Sequence, residues 1–204
     1  IIEVIPWGID LHYPSLNISN SLQNEHVIIG FGGSARRKNT QMLVRMFAHV
    51  AARASNVVLK VIGITDNIQR TELEQLSSAL GISGRVKLLT FITESDLVRI
   101  YNEALCLVYI FLYEGFGLPP LEAMSYGIPV VASNCSSIPE VVCDAGLLVN
   151  PNCALDIAQA VLKILNDPAL RKVLYNRSIA QAQKFSWKST ALKTATLLQK
   201  AVSR

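Results

Sequence analysis

Between about residue 26 and residue 167 the chain alternates short apolar runs with stretches whose apolar positions recur every three or four residues. The runs cover residues 26–31, 57–62, 86–89, 105–110, 129–132 and 146–149, each four to six residues long. They are mostly β-branched or Leu and alternate only weakly, as strands buried on both faces of a parallel sheet do. Residues 40–54 place Met42, Leu43, Met46, Phe47 and Val50 on one helical face, and residues 68–80 do the same with Leu73, Leu76 and Leu80 before a Gly81 stop. Thr93-Glu94-Ser95-Asp96 reads as a capping box ahead of Leu97, Ile100 and Tyr101. Asp167-Pro168 opens a further helix toward Phe185, and Ser186-Trp187 starts a last one with Leu192, Ala195 and Leu198 expected inward. Strands and helices in this order predict right-handed βαβ crossovers and an α/β fold, a doubly wound parallel sheet of about six strands. No repeat, low-complexity tract or linker interrupts residues 26–185, which read as one domain. Residues 1–25, through the polar stretch 17–24, read as a connector, and residues 186–204 as a terminal helix.

Composition narrows the class. With 50% hydrophobic and 17% charged residues the chain is not disordered. Its 204 residues suffice for a core that needs no disulfide or metal staple. Cys106, Cys135, Cys143 and Cys153 form no CxxC pair and have no His at zinc spacing, so free thiols and a reducing compartment are expected. Cys106, inside an apolar run, reads as a core residue. The longest apolar run, residues 104–113, is about half of the ~20 residues a membrane span needs. No basic leader followed by an apolar stretch marks a signal peptide. The start Ile1-Ile2-Glu3, without Met, reads as that of a fragment or a processed product. A net charge of +4 is too mild for nucleic acid and suits an anionic ligand or an acidic membrane surface. His12, His26 and His49 are scattered and carry no assignment.

In open parallel sheets ligands bind beyond the carboxyl ends of the strands. After the first strand comes Gly32-Gly33-Ser34-Ala35-Arg36-Arg37-Lys38-Asn39, glycine-rich backbone beside three cations at a helix start. Such a loop offers N–H groups, a helix dipole and side-chain charge to a phosphate. It is neither GxGxxG nor a Walker A loop, and a solvated basic turn would look the same. After the fourth strand, Glu114-Gly115-Phe116-Gly117-Leu118-Pro119-Pro120-Leu121-Glu122 carries the sharpest signal. Pro119 and Pro120 suit a first helical turn, which leaves the amides of Gly115, Phe116, Gly117 and Leu118 facing outward as an anion nest. Glu114 lies at the strand's carboxyl end, and Glu122 falls one turn into the helix, facing the same cleft, where a carboxylate suits a ribose diol. Taken singly, Glu122 is equally a favourable charge in a first turn and Glu114 an exposed loop acid.

Glu114 and Glu122 form an E-x7-E motif, and over essentially its whole length the chain resembles the C-terminal, donor-binding domain of GT-B glycosyltransferases of the GT4 family. Ile5-Pro6-Trp7-Gly8-Ile9-Asp10 is similar to the "IPNGVD" that leads into that domain, and Gly32-Gly33 with Arg37-Lys38-Asn39 to the phosphate loop of mannosyltransferase-like members. Ser133 to Val141 and Asp144-Ala145-Gly146 match "SNxSSLPEVxGDAA", with Cys143 where Gly is usual, and Phe185-Ser186-Trp187 matches a closing "FSW".

The resemblance implies the C-terminal half of a GT-B fold and retaining transfer of a hexose from a nucleotide-diphospho sugar. GDP-mannose is favoured and a UDP-sugar is the alternative donor; the acceptor is a glycan or lipid-linked species in cell-surface polysaccharide biosynthesis. Lys38 and Arg37 would hold the diphosphate with Gly33. Gly115, Phe116, Gly117 and Leu118 would cradle sugar and phosphate, Glu114 would contact sugar hydroxyls at the reacting centre, Glu122 would take the ribose, and Ile92 would lie near the base. Glu114 is not cast as a covalent nucleophile. The absence of any DxD argues against the metal-dependent GT-A alternative, and no metal or other cofactor is expected. The resemblance further implies an N-terminal domain that binds the acceptor, with residues 186–204 packing back toward it, and a cytoplasmic location or one at the inner membrane face. Two departures stand out: Gly33 is followed by Ser34 where many relatives carry Arg, so Arg36 or Arg37 supplies the second cation, and Thr90 stands where Gly often precedes the base-contacting segment. A non-catalytic Rossmann-like module for a nucleotide or phosphorylated effector would share the sheet and the first loop but has no need of Glu114.

Overall fold

The computed structural model describes residues 2–11 and 25–202; His12 and the polar stretch 17–24 lie outside them. Six parallel strands form one sheet: β1 (His26–Phe31), β2 (Val57–Ile62), β3 (Val86–Leu89), β4 (Ala104–Tyr109), β5 (Val130–Ser133) and β6 (Gly146–Val149). Their order is β3-β2-β1-β4-β5-β6, so the direction of winding reverses between β1 and β4. Among the described residues eight α-helices connect and follow them: α1 (Thr40–Ala51), α2 (Asn67–Ala79), α3 (Glu94–Glu103), α4 (Leu118–Ser125), α5 (Ile138–Val142), α6 (Ala154–Asn166), α7 (Pro168–Ala182) and α8 (Trp187–Val202).

Both sheet faces are apolar, which is why the strands read as continuous runs. Ile28, Leu59, Cys106 and Val108 point to one face and pack with Leu43 and Phe47 of α1 and Ile157 and Val161 of α6. The alternate residues Ile29, Val58, Leu107 and Tyr109 point to the other, against Leu121 and Met124 of α4 and Ile138 of α5. Cys106 is fully buried, and burial pushes its thiol up to about 12. Side-chain caps start three helices: Asp66 accepts the Gln69 N–H, Thr93 that of Asp96, and Asp167 that of Leu170. Helix α1 ends three residues earlier than its periodicity extends. There the Arg85 guanidinium takes the carbonyls of Ala51 and Ala54, each at 2.7 Å, and satisfies the orphaned acceptors of the last turn.

The last helix corrects an expectation. Leu192 and Leu198 are 68% and 61% exposed, Ala195 is exposed, and no described residue of α8 is buried. Two hydrogen bonds tie its start and Phe185 just ahead of it to the lead-in segment: the Thr190 hydroxyl donates to Pro6 O, and Ile9 N–H donates to Phe185 O. Leu192 and Leu198 on the apolar stripe stay open to solvent.

Cys143, at the end of α5, has φ 48° and ψ −131°, a conformation that glycine adopts readily and other residues hold only under strain. Such strain costs about 1–3 kcal/mol, against roughly 0.4–1 kcal/mol for the unfolded-state freedom that glycine adds. Cys143→Gly is therefore expected to raise the unfolding free energy by about 1 kcal/mol in urea denaturation. A loss of stability would show that the turn is not strained.

Candidate donor site

The chains leaving β1 and β4 part at the reversal point, and the candidate residues sit on these two loops. On the β1 side Gly33 has φ 146°, and a Cβ there would lie 2.7 Å from Lys38 Nζ. Glycine is thus what lets the lysine lie along the loop, where its ammonium donates to Gly32 O at 3.0 Å. The Thr40 hydroxyl accepts from Gly33 N–H and donates to Gly33 O, and the Gln69 amide donates to the same oxygen. Asn39, in the left-handed region, sends its amide to Ile110 O and Pro151 O and so fastens the start of α1 to the chain just beyond the carboxyl ends of β4 and β6. The N–H groups of residues 34–37 meet no protein acceptor among the described residues.

The two loops meet at Arg37. Its carbonyl accepts from Leu112 N–H at 2.7 Å, its guanidinium lies 5.9 Å from the Phe111 ring, and Nη1 donates to Glu114 Oε2 at 3.1 Å. The side chains of this ion pair are 48% and 24% exposed, so the pair contributes only about 0–1 kcal/mol. Between the two arginines that the sequence left open, Arg37 is the one at Glu114. Arg36 instead lines a groove of about 440 Å³ on the other side of the Gly33 loop, with Asp66, Gln69 and Glu72.

Glu114 is held at every polar atom. The Tyr109 hydroxyl donates to Oε2 at 3.0 Å, and Gly115 N–H donates to Oε1 at 3.1 Å. Its N–H donates to Ser136 Oγ, and its carbonyl accepts from the hydroxyls of Ser136 (2.6 Å) and Ser137 (2.8 Å). The Gly115 amide is thus taken by the adjacent carboxylate, which differs from the expected four outward donors. Those of Phe116, Gly117 and Leu118 meet no protein acceptor among the described residues. Gly117, with φ 111°, caps α4, and Pro119 and Pro120 occupy its first turn at no hydrogen-bonding cost.

Glu122, one turn into α4 and half-buried, accepts from the Tyr101 hydroxyl at 3.1 Å. Tyr101 stacks on Tyr126 with ring centroids 5.0 Å apart. Ile92, on the loop from β3 to α3, packs against this same side of the core beside a Phe91 that is 89% exposed. The candidates therefore fall into two parts: Gly33, Arg37, Lys38, Glu114 and Gly115 at the reversal point, and Glu122 with Ile92 toward α3. Burial pushes the hydroxyls of Tyr101 and Tyr109 well above the ordinary tyrosine range, and the charge of the carboxylate beside each adds to the shift. Both remain donors at neutral pH.

The residues that hold this geometry were not among the sequence candidates: Tyr101, Tyr109, Ser136, Ser137, Asn39 and Gln69. One signal for Tyr109 was available, since a phenol that ends a buried strand has to find an acceptor. Among the described residues no group of three or more His, Cys, Asp or Glu side chains is gathered to hold a metal ion, and no helix is long and apolar enough to cross a membrane.

Comparison with known proteins places this geometry. Over 111 residues the chain is 45% identical to the O-antigen chain mannosyltransferase B of Escherichia coli, covering 54% of this chain and 29% of that protein. Over 183 residues it is 35% identical to the serotype-specific mannosyltransferase WbdA of Escherichia coli, covering 87% of this chain and 22% of that protein. The chain thus spans less than a third of the length of either relative. Sucrose-phosphate synthase from Thermosynechococcus elongatus superposes with a TM-score of 0.84 at 29% identity, over 98% of this chain and 53% of that one. Residues 16–181 match the family described as glycosyl transferases group 1, and with its parallel sheet and paired loops the chain belongs to that family.

Proposed function

We propose that this chain is the donor-binding part of a retaining glycosyltransferase that takes mannose from GDP-mannose and transfers it to a glycan or lipid-linked acceptor held by the rest of the protein. The observation that carries this reading is the Arg37–Glu114 pair, which joins the two loops at the reversal point, with Lys38 lying along the first of them. Similarity to two mannosyltransferases supports the choice of sugar. In this reading the bond from the sugar to the β-phosphate oxygen breaks, and the electron pair leaves with the nucleoside diphosphate. Lys38, Arg37 and the loop amides meet the negative charge that builds there, as preorganised donors do best in a water-poor crevice. The acceptor hydroxyl forms the new bond on the face the phosphate leaves, and its proton passes to the departing phosphate. Glu114 holds sugar hydroxyls and Glu122 the ribose, with no metal ion in the scheme.

Calorimetry on the 204-residue chain tests the donor class. GDP and GDP-mannose are expected to bind more tightly than UDP and UDP-glucose; preference for the uridine pair would overturn the base assignment. Binding of NAD with none of a nucleoside diphosphate would instead indicate a dinucleotide module. Lys38→Ala is expected to weaken GDP binding by about 1.5–3 kcal/mol, the worth of a charge-assisted contact, and unchanged affinity would return Lys38 to a solvated turn. Glu122→Ala should cost GDP more affinity than it costs 2′,3′-dideoxy-GDP, whereas equal losses would remove the ribose contact.

A further inference from the structure

Glu114 carries two obligations that the geometry sets against each other. In this structure Oε2 accepts from both Arg37 and Tyr109. In the proposed function Arg37 is also claimed by the donor's diphosphate, while Glu114 is needed at the sugar. The two donors to Oε2 differ in how readily they can leave. Arg37 is half exposed, its pair with Glu114 contributes little in water, and the Phe111 ring offers it another contact. Tyr109 is 1% exposed, ends β4, and is stacked on Phe111 with ring centroids 4.2 Å apart. Its hydroxyl cannot follow a ligand. The backbone of Glu114 is already fixed by Ser136 and Ser137, so only the side-chain torsions remain to be set.

We propose that Tyr109 is a positioning residue for Glu114: its buried hydroxyl keeps the carboxylate at the end of β4, facing the sugar, when the diphosphate draws Arg37 away. The proposal rests on the reading of Glu114 given above. It assigns the exposed cation to the phosphate and the buried phenol to the carboxylate, so that binding the one does not misplace the other. Because burial and then the neighbouring charge both favour the protonated phenol, this donor is present at neutral pH.

Tyr109→Phe removes the hydroxyl and keeps the ring and its stack, so the fold is expected to persist, with the urea midpoint as the check. GDP and GDP-mannose affinities are compared by calorimetry in the wild-type chain, Tyr109→Phe, Glu114→Gln and the double variant. The single phenylalanine variant is expected to bind GDP within about twofold of wild type and to lose about tenfold for GDP-mannose, the worth of a hydrogen bond to a charged group. In the Glu114→Gln background the same change should cost about threefold or less, because the phenol then donates to a neutral amide oxygen in place of the carboxylate it positions. Equal losses for GDP and GDP-mannose would make Tyr109 merely structural and overturn the proposal, as would a Tyr109→Phe chain that keeps the full affinity for GDP-mannose while Glu114→Gln loses it. If the wild-type chain gains nothing from the mannosyl group, the reading of Glu114 itself fails, and the proposal with it.

Discussion

At the reversal point between β1 and β4 the two outgoing chains turn to opposite faces of the sheet, and the bond from Leu112 N–H to Arg37 O joins their backbones while most polar groups of the two loops must find other partners. The way this chain resolves that constraint sets the character of the crevice. Side chains from neighbouring elements supply donors to the carbonyls: Thr40 and Gln69 to Gly33, Asn39 to Ile110, Ser136 and Ser137 to Glu114, and Ser137 also to Phe116. The N–H groups of residues 34–37 and 116–118 meet no protein acceptor among the described residues. A rim whose acceptors are filled and whose donors are open is electropositive before any side-chain charge is counted. Arg37 and Lys38 add to a polarity that the backbone already has.

Two carboxylates in such a rim need an explanation, since each would repel the anion that the rim invites. Glu114 is partly neutralised by Arg37 and accepts from a phenol and an amide, which spreads its charge over three donors. Glu122 is set apart toward α3, and it too accepts from a buried phenol. The two tyrosines come from different elements, Tyr109 from the end of β4 and Tyr101 from α3, yet they do the same thing: each fixes a glutamate without adding charge. A lysine or arginine in their place would neutralise the acid fully and deprive it of acceptor strength toward a hydroxyl.

The sheet was legible because strands buried on both faces leave unbroken runs such as Val57–Ile62, and the caps because Asp66, Thr93 and Asp167 do chemistry that depends only on local sequence. Gly33, Lys38, Glu114 and Glu122 were legible as residue types at strand ends. What holds them was not. Ser136 and Ser137 lie more than twenty residues from the carbonyls they bind, and Gln69 lies 36 from Gly33, so no periodicity couples them. The choice between Arg36 and Arg37 turned on one residue of a tight 3-10 turn, which aims consecutive side chains in different directions. The inward face expected of α8 failed for another reason: amphipathic spacing shows which face is apolar and says nothing of what covers it.

The same distance-blindness hides how residues 2–11 bear on the site. Phe116, in the middle of the loop after Glu114, has the Trp7 ring at 6.2 Å and the Phe185 ring at 5.9 Å. Phe185 is in turn tied to the lead-in segment through Ile9 N–H, and Thr190 ties α8 to Pro6. The loop that presents the amides of Phe116 to Leu118 is therefore anchored on one side by the serines after β5 and on the other by an aromatic contact between the two ends of the described chain. Two motifs at opposite ends of the sequence, Ile5-Pro6-Trp7-Gly8-Ile9 and Phe185-Ser186-Trp187, meet at Phe116. Their contribution is to fix where an outward amide points, and a donor aimed in advance is worth more to a developing charge than one that must first be ordered.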